Sequence, residues 1–299
     1  MCCFSAMVEH VAATKIFARP SVNAGGQLLV YSMNYQAASE LAMVLPLPTP
    51  PAPREDAIRF YDFSGYPDFF AALASGYKLR PRSDMTMLGA SAHRPLIVHT
   101  VGSFEASFVP TVHDFNRLDA RFRLSDAVLS QLTDYADYSF AVFKLKPGNL
   151  QVHPMAFEFA RRDEAFLYFP TLHVHDGEVH ATAEFDHDLY CQLRDTPVAF
   201  FRSAWRRDDA VVSAIRQLWE ISGSTYDFWW PGIDGWNGSP AKKFVDVDKA
   251  QGFVEPNHVV FHRRLAGIGP NRDIRIMDRP PGASRWPRLR NWAFRSRAD

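Results

Sequence analysis

The chain has 299 residues, 47% of them hydrophobic, and its 33 basic side chains balance 33 acidic ones. That balance excludes a histone-like or strongly acidic protein and gives no overall electrostatic reason to bind nucleic acid or an anionic membrane. Three cysteines cannot build a disulfide framework, so packing must supply the stability. Glu9, His10, Lys15 and Arg19 interrupt the first thirty residues, which leaves no apolar run long enough for a signal-peptide core or a membrane helix. A soluble, cytoplasmic protein is the expectation.

The first elements read as a hairpin. Residues 14–19 and 27–35 are rich in aliphatic and aromatic side chains, and Asn23-Ala24-Gly25-Gly26 between them is a turn signal. Leu41 to Leu45 form a further apolar run, followed by five prolines between Pro46 and Pro53 that draw the chain out in extended form. Tyr66 to Gly76, with Pro67 near its start and Gly76 at its end, predicts a short helix. Residues 96–101 and 104–109 read as a strand pair around Gly102-Ser103.

Ser125 is placed to cap a helix whose Val128, Leu129, Leu132, Tyr135 and Ala136 share one face. Phe140 to Leu145, Phe157 to Phe159, Phe166 to Phe169 and Leu172 to His175 have the composition of strands. Asp209 to Ser222 predicts a second amphipathic helix stopped by Gly223. Many short strands and few helices give the fold class: α+β, with a strand-rich antiparallel body over residues 1–200 and a Trp/Arg-rich portion over 201–299 packed on it.

Charge and tryptophan divide the chain the same way. Residues 1–199 carry 16 basic and 22 acidic side chains, and 200–299 carry 17 and 11, a swing from −6 to +6. All seven tryptophans lie in the second part. The arginines from Arg272 onward, diluted by Pro280, Pro281, Gly282 and Pro287, read as an extended tail. Either this region is an aromatic-rich wrap buried in the ordinary way, or it is a surface that anchors a partner through Arg and Trp.

No phosphate loop, dinucleotide fingerprint, nucleophile elbow or His-Glu-x-x-His motif is present. Two clusters remain. In Met1-Cys2-Cys3-Phe4, removal of the initiator would leave Cys2 with a free α-amine of pKa about 8 beside a thiol, a pair that acts as base and nucleophile or chelates a metal. Cys3, with no free amine, is the more structural of the two, and both could equally be small core hydrophobes.

The second cluster holds four of the eleven histidines within fifteen residues: His173, His175, His180 and His187, with Cys191 beyond. On a strand His173 and His175 share a face. Asp176-Gly177 is a turn pair that would fold Val179-His180 back beside them. If Asp186 caps a helical turn, His187 and Cys191 also share a face. Imidazole and thiolate are ligands for zinc or copper, whereas a solvated hairpin would use the same side chains to bind water and Asp176, Glu178, Asp186 and Asp188. His258 and His262 flank the apolar run Val259-Val260-Phe261, where packing is the expected role.

The early cysteines, Thr14-Lys15-Ile16-Phe17, the strand Leu28 to Tyr35 and Leu41-Ala42-Met43-Val44-Leu45-Pro46-Leu47-Pro48 together resemble a bacterial family known as domain of unknown function 2330. Val101-Gly102-Ser103-Phe104 and Tyr138 to Lys146 extend the resemblance to about residues 1–170. Cys2 and Cys3 are adjacent and directly follow the initiator, whereas the family's cysteines are spaced apart behind an export signal, and the histidine cluster has no counterpart there. The resemblance implies a related fold and an early cysteine of interest; it transfers no reaction.

These readings give two expectations. One is an enzyme, hydrolase-like, in which Cys2 meets the 173–187 histidines. As a metal centre it would draw zinc or copper ligands from Cys2, His173, His175, His180, His187 and Cys191. As a thiol site it would use Cys2 as nucleophile and His175 as base, on an unidentified small-molecule or peptide substrate. The other is a non-catalytic binding or scaffold protein that holds its partner through the basic Trp-rich region, with Trp229, Trp230 and Arg288 as anchors.

Overall fold

The computed structural model describes residues 3–23, 25–77, 99–101, 104–194 and 237–278. Cys2, the Asp209–Ser222 helix prediction, all seven tryptophans and Arg288 lie outside these residues. The described chain is strand-rich and mainly antiparallel, with few helices, as the sequence predicts for an α+β fold.

In chain order, β1 (Cys3–Phe4) leads into the long hairpin of β2 (His10–Pro20) and β3 (Gly26–Ala37), then β4 (Leu41–Leu47) and β5 (Ile58–Tyr61). Helix α1 (Phe69–Ser75) follows, then β6 (His99–Val101) and β7 (Phe104–Val109). Helix α2 (Asp126–Gln131) precedes β8 (Ser139–Leu145), β9 (Gly148–Gln151), β10 (Met155–Ala160) and β11 (Phe166–Phe169). The remaining strands are β12 (Thr182–Cys191), β13 (Asn237–Pro240), β14 (Val259–Pro270) and β15 (Ile274–Met277).

One sheet runs β1-β4-β8-β7-β6, and the larger runs β13-β14-β12-β2-β3-β10-β5 with β9 also on β3. The β12–β2 pairing is parallel, and β11 with β15 forms a separate ribbon. Strands from residues 237–270 thus complete the large sheet begun by β2 and β3. Arg275, expected in an extended tail, sits in β15, opposite Tyr168 of β11.

The apolar runs of the large sheet have a simple cause: both of its faces are buried. Ile16, Leu29, Tyr31, Leu189 and Phe261 point into the main core against the smaller sheet. Their alternates Phe17, Leu28, Val30, Tyr190 and Val260 pack on α1, Phe63 and Phe253. A strand covered on both sides loses the polar alternation of a half-exposed one.

Helix α1 ends at Gly76, but not because of a left-handed cap. Gly76 is right-handed, and a Cβ there would come within 2.6 Å of the Phe244 ring. Helix α2 is capped by Ser125 Oγ, which accepts from Val128 N, yet it stops at Gln131; Thr133–Tyr135 continue only as a 3-10 turn.

A buried charge cluster joins the end of β15 to the main core. Asp278 accepts from Arg161 Nη1 at 3.1 Å and from Arg194 Nε at 2.8 Å, and the Arg161 and Asp278 side chains are both 1% exposed. Burial lowers the Arg161 pKa against the pull of Asp278. Removing the carboxylate leaves two guanidinium groups facing each other, with only the weaker pull of exposed Glu164 on Arg161. Asp278→Ala should therefore lower stability by about 3–5 kcal/mol, read as a shift of the urea midpoint at unchanged slope. A loss under 1 kcal/mol would show that the cluster is not a structural tie.

Candidate functional site

The segment Thr171–Ala181 belongs to no ladder, which corrects two expectations. Leu172 to His175 is not a strand, because only Val174 makes a β-bridge, a parallel one to Cys3. Gly177 does take the turn conformation, at φ 87°, but Val179-His180 does not return as a hairpin partner.

What fixes this segment is a set of side chains just after β14. Asp273 Oδ1 accepts from Thr171 N at 2.6 Å and Leu172 N at 2.9 Å, and its Oδ2 accepts from the Tyr168 hydroxyl. Asn271 Oδ1 accepts from His173 N at 2.7 Å, while its Nδ2 donates to the carbonyls of His173 and His180. From the other side, Phe4 N donates to Val174 O at 3.0 Å and Val8 N to His175 O at 3.3 Å. The start of the described chain therefore runs alongside the histidine segment.

Three imidazoles meet here. The ring centre of His173 lies 5.2 Å from that of His175 and 5.3 Å from that of His187, with interplanar angles of 14° and 11°. Phe185 packs 4.6 Å from His173, and Phe4 packs 5.5 Å from His175. His173 and His187 are buried, and His175 is partly buried. Desolvation dominates their electrostatics. It lowers the His173 pKa to about 2 and the His175 pKa to about 4, and it holds His187 well below its ordinary value. The facing charged groups do not reverse this: Asp176 raises His175, while Arg264 depresses His187 further. All three stay neutral at pH 7.

The array opens onto a cleft of about 660 Å³ at the end of the large sheet. Glu9, His175, His180, Glu184, Asp186 and Arg264 are among its lining residues. Arg264 bridges Asp186 and Asp188, so its charge is held on the wall.

The other expected ligands lie elsewhere. His180 is exposed and bonds Asp176 through Nε2 at 2.8 Å. His187 and Cys191 do not sit on a helical turn, since both belong to β12 and are separated along it by about 13 Å at roughly 3.3 Å per residue. Cys191 is buried beside Ala18 and Phe261, and burial pushes its thiol pKa well up. Cys3 is buried at 1% exposure, and Cys2 lies outside the described residues. Among the described residues, no three His, Cys, Asp or Glu side chains converge to hold a metal ion.

His262 packs against Tyr77 and Tyr190 and bonds Asp188 at 3.0 Å, the packing role its apolar strand predicts. Asn271 and Asp273 were invisible as site residues in the sequence. Their one signal is Asn-x-Asp directly after a strand-like run, which reads as an ordinary turn.

No family model matches the chain, and no curated protein does. Among solved structures, it is similar to baculovirus P35 at 13% identity and a TM-score of 0.46, covering 93% of this chain and 99% of that one. A caspase-8/P35 complex matches at 10% identity and a TM-score of 0.41, over 89% of this chain and 96% of that one. A mutated baculovirus P35 after caspase cleavage matches at 12% identity and a TM-score of 0.40, over 89% and 100%. No described helix is long and apolar enough to cross a membrane.

The depressed histidines make stability depend on pH with a definite sign. Unfolded, each binds a proton below about its ordinary 6.5; folded, His173 stays neutral down to about 2. Its contribution is whole above pH 6.5 and is lost as the pH falls below that value. Between pH 6.5 and 4.5 the share of His173 alone is about 2 kcal/mol. Urea unfolding of His173→Phe should show that much less loss between pH 7 and 4.5 than the parent chain. Parallel losses in the two proteins would disprove the assignment.

Proposed function

We propose that the protein acts by binding another protein along the outer edge of β14 rather than by catalysis. One edge of β14 is paired with β12 throughout residues 261–270, and the other is paired with β13 only over Val259–His262. From Leu265 to Pro270 the outer edge has no partner strand among the described residues, and Ile268 there is 82% exposed. That edge is the observation that carries the reading. An edge without a partner strand among the described residues, carrying Leu265, Ala266 and Ile268, is a template for an extended segment of a partner.

The chemistry of the neighbouring cleft supports the same choice. A general base works best with a pKa near the operating pH, and His173 and His175 are held far below it. Both described cysteines are buried. The second reading, a thiol or metal site completed by Cys2, has one observation in its favour, the bridge that lays Cys3 beside Val174.

The test is a complex captured by cross-linking, identified, and rebuilt from purified components. Caspase-8, the partner in one of the similar structures, is the first to try. Ile268→Lys places a charge on the edge and should weaken binding at least tenfold by titration calorimetry while leaving the unfolding midpoint unchanged. Val22→Lys, an equally exposed site in the turn between β2 and β3, should have no effect. Equal affinity of Ile268→Lys and the parent chain would refute the edge.

A further inference from the structure

The cleft carries an inference of its own, independent of the β14 edge, because it is a gap in the large sheet. β12 and β2 pair only from His187 and Thr14 onward. Before that point the two strands part, and each keeps a single neighbour: residues 182–186 pair with 266–270 of β14, and residues 10–12 with 34–36 of β3. Residues 182–186 form one wall of the cleft and residues 8–12 the other, with no strand between them among the described residues.

In a strand bonded on one side only, alternate residues turn their N–H and C=O groups the other way. β12 therefore offers main-chain donors and acceptors to the cleft along residues 182–185, where Thr182 and Glu184 are exposed and Ala183 is partly so. That stretch spans about 13 Å at roughly 3.3 Å per residue, room for four residues of an added strand. The parting is built in, since Asp186 Oδ2 holds the amide of Ala13 at the point where the strands diverge.

Side-chain alternation says what kind of strand the gap suits. Phe185 and His187 turn one way, onto the ring of His173, and burial keeps that ring neutral. Glu184 and Asp186 turn the other way. Asp186 is spent on Arg264, which is the one Lys or Arg among the lining residues described, whereas Glu184 has no ion-pair partner among the described residues. On the facing wall Glu9 is exposed and bonds only the uncharged Gln36. One side of the gap is thus neutral and largely apolar, and its rim is acidic.

We propose that the cleft receives an extended segment of a partner polypeptide as an added strand on β12, with apolar side chains turned toward Phe185 and the histidine rings and basic side chains, alternating with them, turned toward Glu184 and the rim at Glu9. The free main-chain edge supplies the binding, and the unspent carboxylates select the charge of the occupant.

The probe is a short, end-blocked peptide of alternating lysine and valine, titrated into the full chain by fluorescence anisotropy and followed by amide hydrogen exchange. Binding is expected, with exchange slowed within residues 182–186 and unchanged within 265–270. Affinity should fall at least tenfold when glutamate replaces the lysines, when the peptide is N-methylated throughout and so has no main-chain donor, and in Glu184→Lys. Val22→Lys should stay within twofold of the parent. Should Glu184→Lys fail to fold, the exchange pattern of the parent chain and the two altered peptides decide. Absence of binding, equal affinity for the acidic or the N-methylated peptide, or protection confined to 265–270 would overturn the slot. Protection of 182–186 that grows with concentration of the chain alone would put a second copy there and overturn the basic partner.

Discussion

Buried backbone amides and carbonyls must find partners, and this rule governs the histidine-bearing end of the molecule more than any other. The stretch from Thr171 to His175 is enclosed between β1 and the end of β14 but owns no ladder. The amides of Thr171, Leu172 and His173 are taken up by two side chains, Asp273 and Asn271, and the carbonyls of His173, Val174 and His175 by Asn271, Phe4 and Val8. Burial raises the Asp273 pKa, while the amides of Thr171 and Leu172 and the hydroxyls of Tyr168 and Tyr135 pull it down. A carboxylate held by so many donors is a rigid post, and the histidines hang from it.

Desolvation then decides what those histidines can be. Packed between Phe4 and Phe185, they cannot ionise near neutral pH, so their chemistry is that of neutral nitrogen: hydrogen bonding or ligation rather than proton transfer. The same low-polarity surroundings treat Arg161 and Asp278 in the opposite way. There the charges persist because each has its counter-charge within hydrogen-bond distance. Burial selects neutrality where no partner exists and pairing where one does.

Much of the scaffold was legible in the sequence. The β2–β3 hairpin, β4, α1, β7, β8, β10 and β11 follow from local composition and turn residues, because each is a short-range pattern. The clustering of His173, His175 and His187 was also legible, since density along the chain is a sequence property. Their arrangement was not. Whether Leu172–His175 pairs as a strand depends on Asn271 and Asp273, about a hundred residues away. Whether 186–191 is a helical turn or a strand depends on β2 and β14, one of them parallel and neither near in the chain. A helical turn capped by Asp186 would place His187 and Cys191 on one helix face, but the alternation of a strand gives the same residues a shared side at a much greater separation.

The cleft has its origin in one defect of β2. Ala13 takes a positive φ of 51°, and the β2–β3 register shifts between Ala12 and Lys15. A non-glycine residue in that region is strained by roughly 1–2 kcal/mol and persists only where its surroundings insist on it. Here Ala13 N, turned out of the ladder, donates to Asp186 Oδ2 at 3.2 Å. The parallel pairing with β12 therefore begins only at Thr14 and His187. Residues Thr182 to Asp186 and their partners Ala266 to Pro270 run on without β2 as a two-stranded ribbon. The space that β2 vacates is the cleft lined by Val8 to Ala12, and the ribbon it leaves behind carries Ile268. A single kinked alanine thus separates the closed part of the sheet from the two-stranded ribbon and the cleft beside it.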